Sequence, residues 1–142
     1  MKLFLRNFIA VVVGLLVGGT VNMALVMVGP HLIPPPPGVN MEDAKSLAAG
    51  AHLLEARHFL FPFLAHAGGT LVGALVAHLI GAGPRSALSY GVGVVFLAGG
   101  VAAALMIPAP TWFIALDLLA CYLPMSWLAA RIGERLRPVA AK

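Results

Sequence analysis

Four long runs of apolar residues constrain this chain more than any other feature of its sequence. They cover about residues 4–28, 58–82, 87–107 and 111–132, and each is close to the ~20 residues that an α-helix needs to cross a bilayer. Since 61% of the residues are hydrophobic and only 10% are charged, against about 25% charged residues in soluble domains, lipid must cover most of the surface. The sequence predicts an all-α fold, a four-transmembrane-helix antiparallel bundle.

The connections between the runs predict how the bundle is organised. The turns "GPRS" at 83–86 and "IPAP" at 107–110 are short enough to join only neighbouring helices of opposite direction. The first run is longer than the roughly 7–15 apolar residues of a signal peptide, and no A-x-A site follows it. We therefore expect it to stay as a helix, within a single integral membrane domain over residues 1–142.

The nine lysines and arginines are divided unevenly between the two sides when four helices are threaded through a membrane. Lys45 and Arg57 fall on one side, and the other seven on the opposite side. Those seven are Lys2, Arg6, Arg85, Arg131, Arg135, Arg137 and Lys142. Because basic residues concentrate on the cytoplasmic side, the pattern predicts a multi-pass protein of the bacterial inner membrane with both termini inside. The charge sets orientation, and no nucleic-acid partner is predicted.

The loop at 29–57 is predicted to lie outside and to contain one amphipathic helix, from about Met41 to Arg57. Asn40 is a good N-cap residue, and Glu42 and Asp43 suit the positive end of a helix dipole. Apolar residues then recur at helical spacing, as at Leu47, Ala51 and Leu54. Such a helix is expected on the membrane surface or over the mouth of the bundle.

Polar side chains from three of the predicted helices fall at a similar depth in the membrane. Counting along each helix at 1.5 Å per residue places Asn22, His66 and Asp117 roughly 9–12 Å below the outer interface. Asp117 needs donors there, which an imidazole, an amide and the Thr70 hydroxyl can supply. Two interpretations stay open: these bonds hold the helices together, or the cluster binds a ligand, an ion or a proton.

Small residues repeat at spacings that let helices approach closely. Candidate packing positions in three helices are Gly14, Gly18, Gly69, Gly73, Gly99 and Gly100.

Other polar residues give weaker signals. The histidines of "HLLEARH" at 52–58 are six residues apart, so they do not share one helix face. We expect His52, Glu55 and His58 to form a solvated polar face, with no metal site and no cofactor. His78 is expected to extend to the membrane interface. Without a P-loop, an H-E-x-x-H motif or a nucleophile elbow, the sequence does not favour an enzyme.

Several blocks together resemble a family of small four-helix bacterial membrane proteins for which no activity is known. They are "VNM" (21–23), "PPPPGVN" (34–40), "FPFLAHAGGTLVGA" (61–74), "IPAPTWFIALDLLACYLPMSW" (107–127) and the closing "RIGERL". The resemblance extends over roughly residues 7–134. It implies a four-helix membrane fold, and it implies no activity, substrate or cofactor.

Two functional hypotheses follow. The first is a binding or accessory component of a larger membrane assembly, because short loops leave little soluble surface and glycine-rich faces favour helix association. Its expected partners are the lipid bilayer and other membrane subunits or further copies of the chain. The alternative is a small oligomeric transporter or proton-coupled channel that uses Asn22, His66 and Asp117.

Overall fold

The fold is all-helical in the computed structural model, which describes residues 2–41 and 43–137. The α-helices are α1 (Lys2–Leu32), α2 (Ala44–Gly50), α3 (Leu60–Ile80), α4 (Arg85–Met106), α5 (Thr111–Ala120) and α6 (Leu123–Leu136). Two short 3₁₀ turns, Ala51–Leu53 and Ala56–Phe59, precede α3. The described ranges contain no strand.

Four helical stretches are long and apolar enough to cross a membrane, which confirms that part of the prediction. They are α1, the turn at 56–59 with α3, α4, and α5 together with α6. Their outward faces carry large apolar side chains such as Phe4, Leu105 and Leu119, each at least three-quarters exposed. A surface of this kind is stable in lipid and would associate in water. The first helix is longer than expected, because it continues through Pro30 to Leu32.

The third helix lies at the centre and contacts α1, α4 and α6. Glycine allows its close approach to α1: a Cβ atom at Gly73 would lie 2.6 Å from the carbonyl oxygen of Gly14, and one at Gly69 would lie 2.8 Å from that of Gly18. These four glycines therefore bring two backbones together. Near them, Ala74, Ala77, Val92 and Ala129 form a core of small, fully buried side chains.

The two neighbouring glycines of α4 differ in their surroundings. A Cβ atom at Gly100 would collide with the ring of Tyr122, whereas one at Gly99 would meet no atom within 4 Å. Gly100 is buried and Gly99 is exposed. Within the described chain, only Gly100 of this pair faces another helix.

Two arginines bind the end of α3. Arg6 donates from Nε to the carbonyl oxygen of Ile80 at 2.9 Å, and Arg137 donates to that of Leu79 at 2.6 Å. Both also donate to the carbonyl oxygen of Gly81, each at 3.2 Å. The last carbonyl groups of a helix have no hydrogen-bond donors within that helix. The two arginine side chains supply those donors. We call this arrangement the arginine clamp, and the end of the molecule where it lies the basic end.

The 33–59 segment folds differently from the single helix expected there. Helix α2 begins at Ala44, with Asp43 as its N-cap accepting a hydrogen bond from the Ser46 backbone N–H at 2.8 Å. It ends at Gly50, where a side chain would collide with Val39. The predicted cap at Asn40 and the unbroken helix to Arg57 are therefore wrong. Glu42, expected in its first turn, lies outside the described residues.

Candidate functional site

Helices α3 and α5 bring two titratable side chains together in the interior. His66 Nδ1 lies 2.8 Å from Oδ1 of Asp117 and donates its hydrogen to the carboxylate. The two side chains are not equally accessible: 26% of His66 and 7% of Asp117 is exposed. Asp117 thus lies behind His66, holds its ring in position and leaves the Nε2 edge available.

A break in the fourth apolar stretch adds Tyr122 to the pair. Pro124, the second residue of α6, cannot donate a backbone hydrogen bond and its ring crowds the carbonyl group four residues earlier. The helix therefore stops at Ala120 and resumes at Leu123. Residues five apart in an intact helix point about 140° away from each other, but here the Tyr122 hydroxyl donates to Oδ2 of Asp117 at 2.9 Å.

We call His66, Asp117 and Tyr122 the Asp117 cluster. Tyr122 is 1% exposed, and the lack of a side chain at Gly100 makes room for its hydroxyl end. One carboxylate oxygen of Asp117 is thus bonded to a side chain on α3, and the other to a side chain at the break between α5 and α6. Tyr122 is not among the residues of the cluster predicted from the sequence. Pro124, two residues later, was the available signal.

The other two residues of the expected cluster lie close by but do not bond to Asp117. Thr70 is fully buried, and its hydroxyl donates to the carbonyl oxygen of His66 at 2.8 Å, one turn back along the same helix. Asn22 packs against Gly69, and its buried side-chain oxygen has no hydrogen-bond partner among the described residues.

A cavity of about 200 Å³ extends from the Asp117 cluster toward the 33–59 segment. Its inner end is formed by the lining residues farthest from that segment, which are Val26, Gly100, His66 and Asp117. Apolar side chains form most of its wall. They include Ile33, Leu47, Leu54, Phe59, Ile107 and Phe113. The cavity wall is therefore mainly apolar, with His66 and Asp117 at its inner end.

Buried polar side chains also continue from the cluster toward the basic end. Ser126, one turn after Tyr122 in α6, packs against Gly93 of α4. Farther along, His78 Nδ1 lies 3.3 Å from the hydroxyl of Ser89, which donates to the carbonyl oxygen of Ala74 at 3.2 Å. His78 is 1% exposed, so the expectation that it reaches the interface is wrong. Gly133 of α6 packs directly against its ring.

The histidines of the 52–58 motif are separated. His52 is exposed, whereas His58 is only 5% exposed and lines the cavity, so the expected solvated face is wrong for His58. Over residues 2–41 and 43–137, no three His, Cys, Asp or Glu side chains are arranged to hold a metal ion.

No family model, curated protein or solved structure matches the chain. The chemistry of the site therefore rests on its geometry. The Asp117 cluster can hold a proton or hydrogen-bond a polar group of a molecule in the cavity.

Proposed function

We propose that the chain is a multi-pass membrane protein that binds an uncharged lipophilic molecule in the cavity and holds a hydroxyl-type group of that molecule at His66, which Asp117 positions. The observation that carries the proposal is the position of His66 and Asp117, which are bonded to each other at the inner end of a mainly apolar cavity. Ligand sites commonly have this composition, with apolar walls and a few polar groups that fix orientation.

The different exposure of the His66 and Asp117 side chains indicates which of them contacts the ligand. With its Nδ1 hydrogen donated to Asp117, a neutral His66 ring presents Nε2 as an acceptor. A ligand hydroxyl can donate to that nitrogen, since His66 is the more accessible of the pair. Asp117 acts through His66 as a positioning residue, and Tyr122 holds the carboxylate from its other side.

Binding of 1-decanol tests the proposal. Trp112 packs edge-on against Phe59 and Phe113 of the cavity wall, with ring centroids 5.7 and 5.9 Å away, so its fluorescence reports occupancy once Trp127 is replaced by Phe. We expect saturable binding that His66→Phe weakens up to about tenfold, since a net hydrogen bond contributes about 0.5–1.5 kcal/mol. His52→Phe is the matched control at an exposed histidine. Equal affinities of these two variants, or no saturable binding, would contradict the proposal.

Proton-coupled transport is the second candidate, and the polar side chains between the cluster and the basic end favour it. Ser126 Oγ and His78 Nε2 are buried there without a partner among the described residues, and buried polar groups inside a membrane protein often mark ion or proton paths. The test is proton flux into proteoliposomes under a pH gradient. Under this candidate Asp117→Asn folds and abolishes the flux, whereas flux equal to that of the unmodified protein would exclude it.

We also propose an antiparallel arrangement in the inner membrane, with the basic end in the cytoplasm. The arginine clamp brings Arg6 and Arg137 to the same helix end, and Arg85 begins the next helix. Lys45 and Arg57 belong to the 33–59 segment near the opposite end of α3. Basic residues are enriched on the cytoplasmic side, which supports this orientation.

Membership of a larger assembly stays a prediction from the sequence. The feature that supports it is the outward face of α4, where Gly91 and Gly99 leave space for another helix. Purification from the native membrane in mild detergent tests it: a stoichiometric second protein is expected, and a chain that purifies alone as a monomer would contradict it.

A further inference from the structure

A second histidine of the cavity wall has an unused hydrogen-bonding group. His58 is only 5% exposed and lines the cavity. Its Nδ1 accepts a hydrogen bond from the backbone N–H of Glu55 at 2.9 Å, and the Glu55 side chain accepts one from the backbone of His58 in return. The orientation of the imidazole is therefore fixed by the turn to which it belongs.

This bond also determines which ring nitrogen carries the hydrogen. A nitrogen that accepts a hydrogen bond is unprotonated, so a neutral His58 ring carries its hydrogen on Nε2. That nitrogen is buried and has no partner among the described residues. A buried donor without an acceptor is costly, and native proteins contain few of them. One of the residues that line the cavity thus has a donor that needs an acceptor.

The distance between His58 and the Asp117 cluster limits the size of a molecule that contacts both. The turn at 56–59 continues directly into α3, and the two form one apolar helical stretch. His58 and His66 are therefore about 12 Å apart along its axis. Phe61 and Pro62, which lie between them, also line the cavity. One apolar wall thus has an imidazole near each end.

We propose that His58 is a second polar contact of this site and donates from Nε2 to a carbonyl-type oxygen of the bound molecule. The ligand class is then an uncharged lipophilic molecule with a hydroxyl-type group at one end and a carbonyl oxygen at the other. The inference rests on the proposed function, because the hydroxyl end is the one that reaches His66.

Two isomeric hydroxy esters test the position of the acceptor. Methyl 8-hydroxyoctanoate has its carbonyl group at the end opposite the hydroxyl, and 4-hydroxybutyl pentanoate has the same functional groups with the carbonyl group in mid-chain. Titrated against Trp112 fluorescence, the first isomer is expected to bind about tenfold more tightly, since it pairs a buried donor that the second leaves unpaired. His58→Phe is expected to abolish the preference, and His58→Gln, which retains both an acceptor and a donor, to restore part of it.

Each outcome supports or overturns the inference. Equal binding of the isomers to the unmodified protein overturns it without reference to any variant, and a preference that persists in His58→Phe does so as well. If 1-decanol binds and the isomers do not differ, the proposed function stands and the second contact fails. If neither 1-decanol nor the esters bind, both fail.

Discussion

Asp117 shows how a single carboxyl group is stabilised within a long apolar helical stretch. A charged side chain at the centre of a bilayer-spanning helix costs about 2.5–3.5 kcal/mol on insertion scales. Here the side chain is 7% exposed and receives hydrogen bonds from an imidazole on α3 and from the phenol of Tyr122, the N-cap residue of α6. Its position is therefore tied to the packing of three helical elements.

The first prediction concerns substitution of this residue. Asp117→Leu leaves His66 Nδ1 and the Tyr122 hydroxyl without their acceptor, so we expect a loss of about 1–3 kcal/mol in the free energy of unfolding. Asp117→Asn retains an acceptor oxygen and adds donors, so its loss is expected to be smaller. Unfolding by SDS titration in mixed micelles measures both, and a Leu variant as stable as the unmodified protein would contradict the geometry.

Individual residues also show which parts of the site a sequence can predict. The pairing of His66 with Asp117 was expected because residue counts along apolar helices give depth. Rotation about each helix axis depends on packing, so the contact of Asn22 with Gly69 was not foreseen. Tyr122 was missed because its bond exists only where the helix is broken before Pro124. His58 was missed because the fold of the 33–59 segment decides its burial.

At the scale of secondary structure, the close pairing of α1 with α3 depends on which glycines face inward. Gly18 packs against Gly69 and Gly73 of α3, whereas a Cβ atom at Gly19, the next residue, would meet no atom within 4 Å. Both positions are occupied by glycine and lie in the same helix. They therefore form a matched pair.

The second prediction uses this pair. Gly18→Ala forces the two backbones apart, and we expect it to lower the free energy of unfolding by about 1–3 kcal/mol, as overpacking does. Gly19→Ala is expected to be neutral or stabilising by up to about 1 kcal/mol, because alanine favours a helix. The same SDS titration compares them, and equal effects at both positions would refute the packing of α1 on α3.

The elements also differ in how well the sequence predicted them. The apolar helices were foreseen because burial in lipid requires every backbone group to be paired within a helix. In the 33–59 segment no such requirement applies, and local contacts decide the outcome. Asp43 caps α2 through Ser46, and Val39 packs where Gly50 leaves space. The α-helix has only seven residues and is followed by a 3₁₀ turn at Ala51–Leu53, although the apolar spacing continues to Leu54.

For the whole molecule, the proposed orientation gives a third prediction. Ala48 is exposed in α2, and Ser86 lies in the first turn of α4 near the basic end. Cysteines at these positions, in a chain with Cys121 replaced by Ala, are expected to react with an impermeant maleimide from opposite sides. The Ala48 variant should label in intact cells, and the Ser86 variant only after permeabilisation. Labelling of both from one side would refute the membrane arrangement, and the reversed pattern would refute only the orientation.

The arginine clamp implies an order of assembly during synthesis. Arg6 is already made when the end of α3 leaves the ribosome, but Arg137 follows Gly81 by 56 residues. The hydrogen bond from Arg137 to the carbonyl oxygen of Leu79 can therefore form only when nearly all of the described chain has been translated. Of the described helices, α6 is made last, and its C-cap residue Arg137 completes the hydrogen bonds at the end of α3. In a nascent chain that stalls before α6, α3 can pair with α1 but lacks the hydrogen bonds from Arg137.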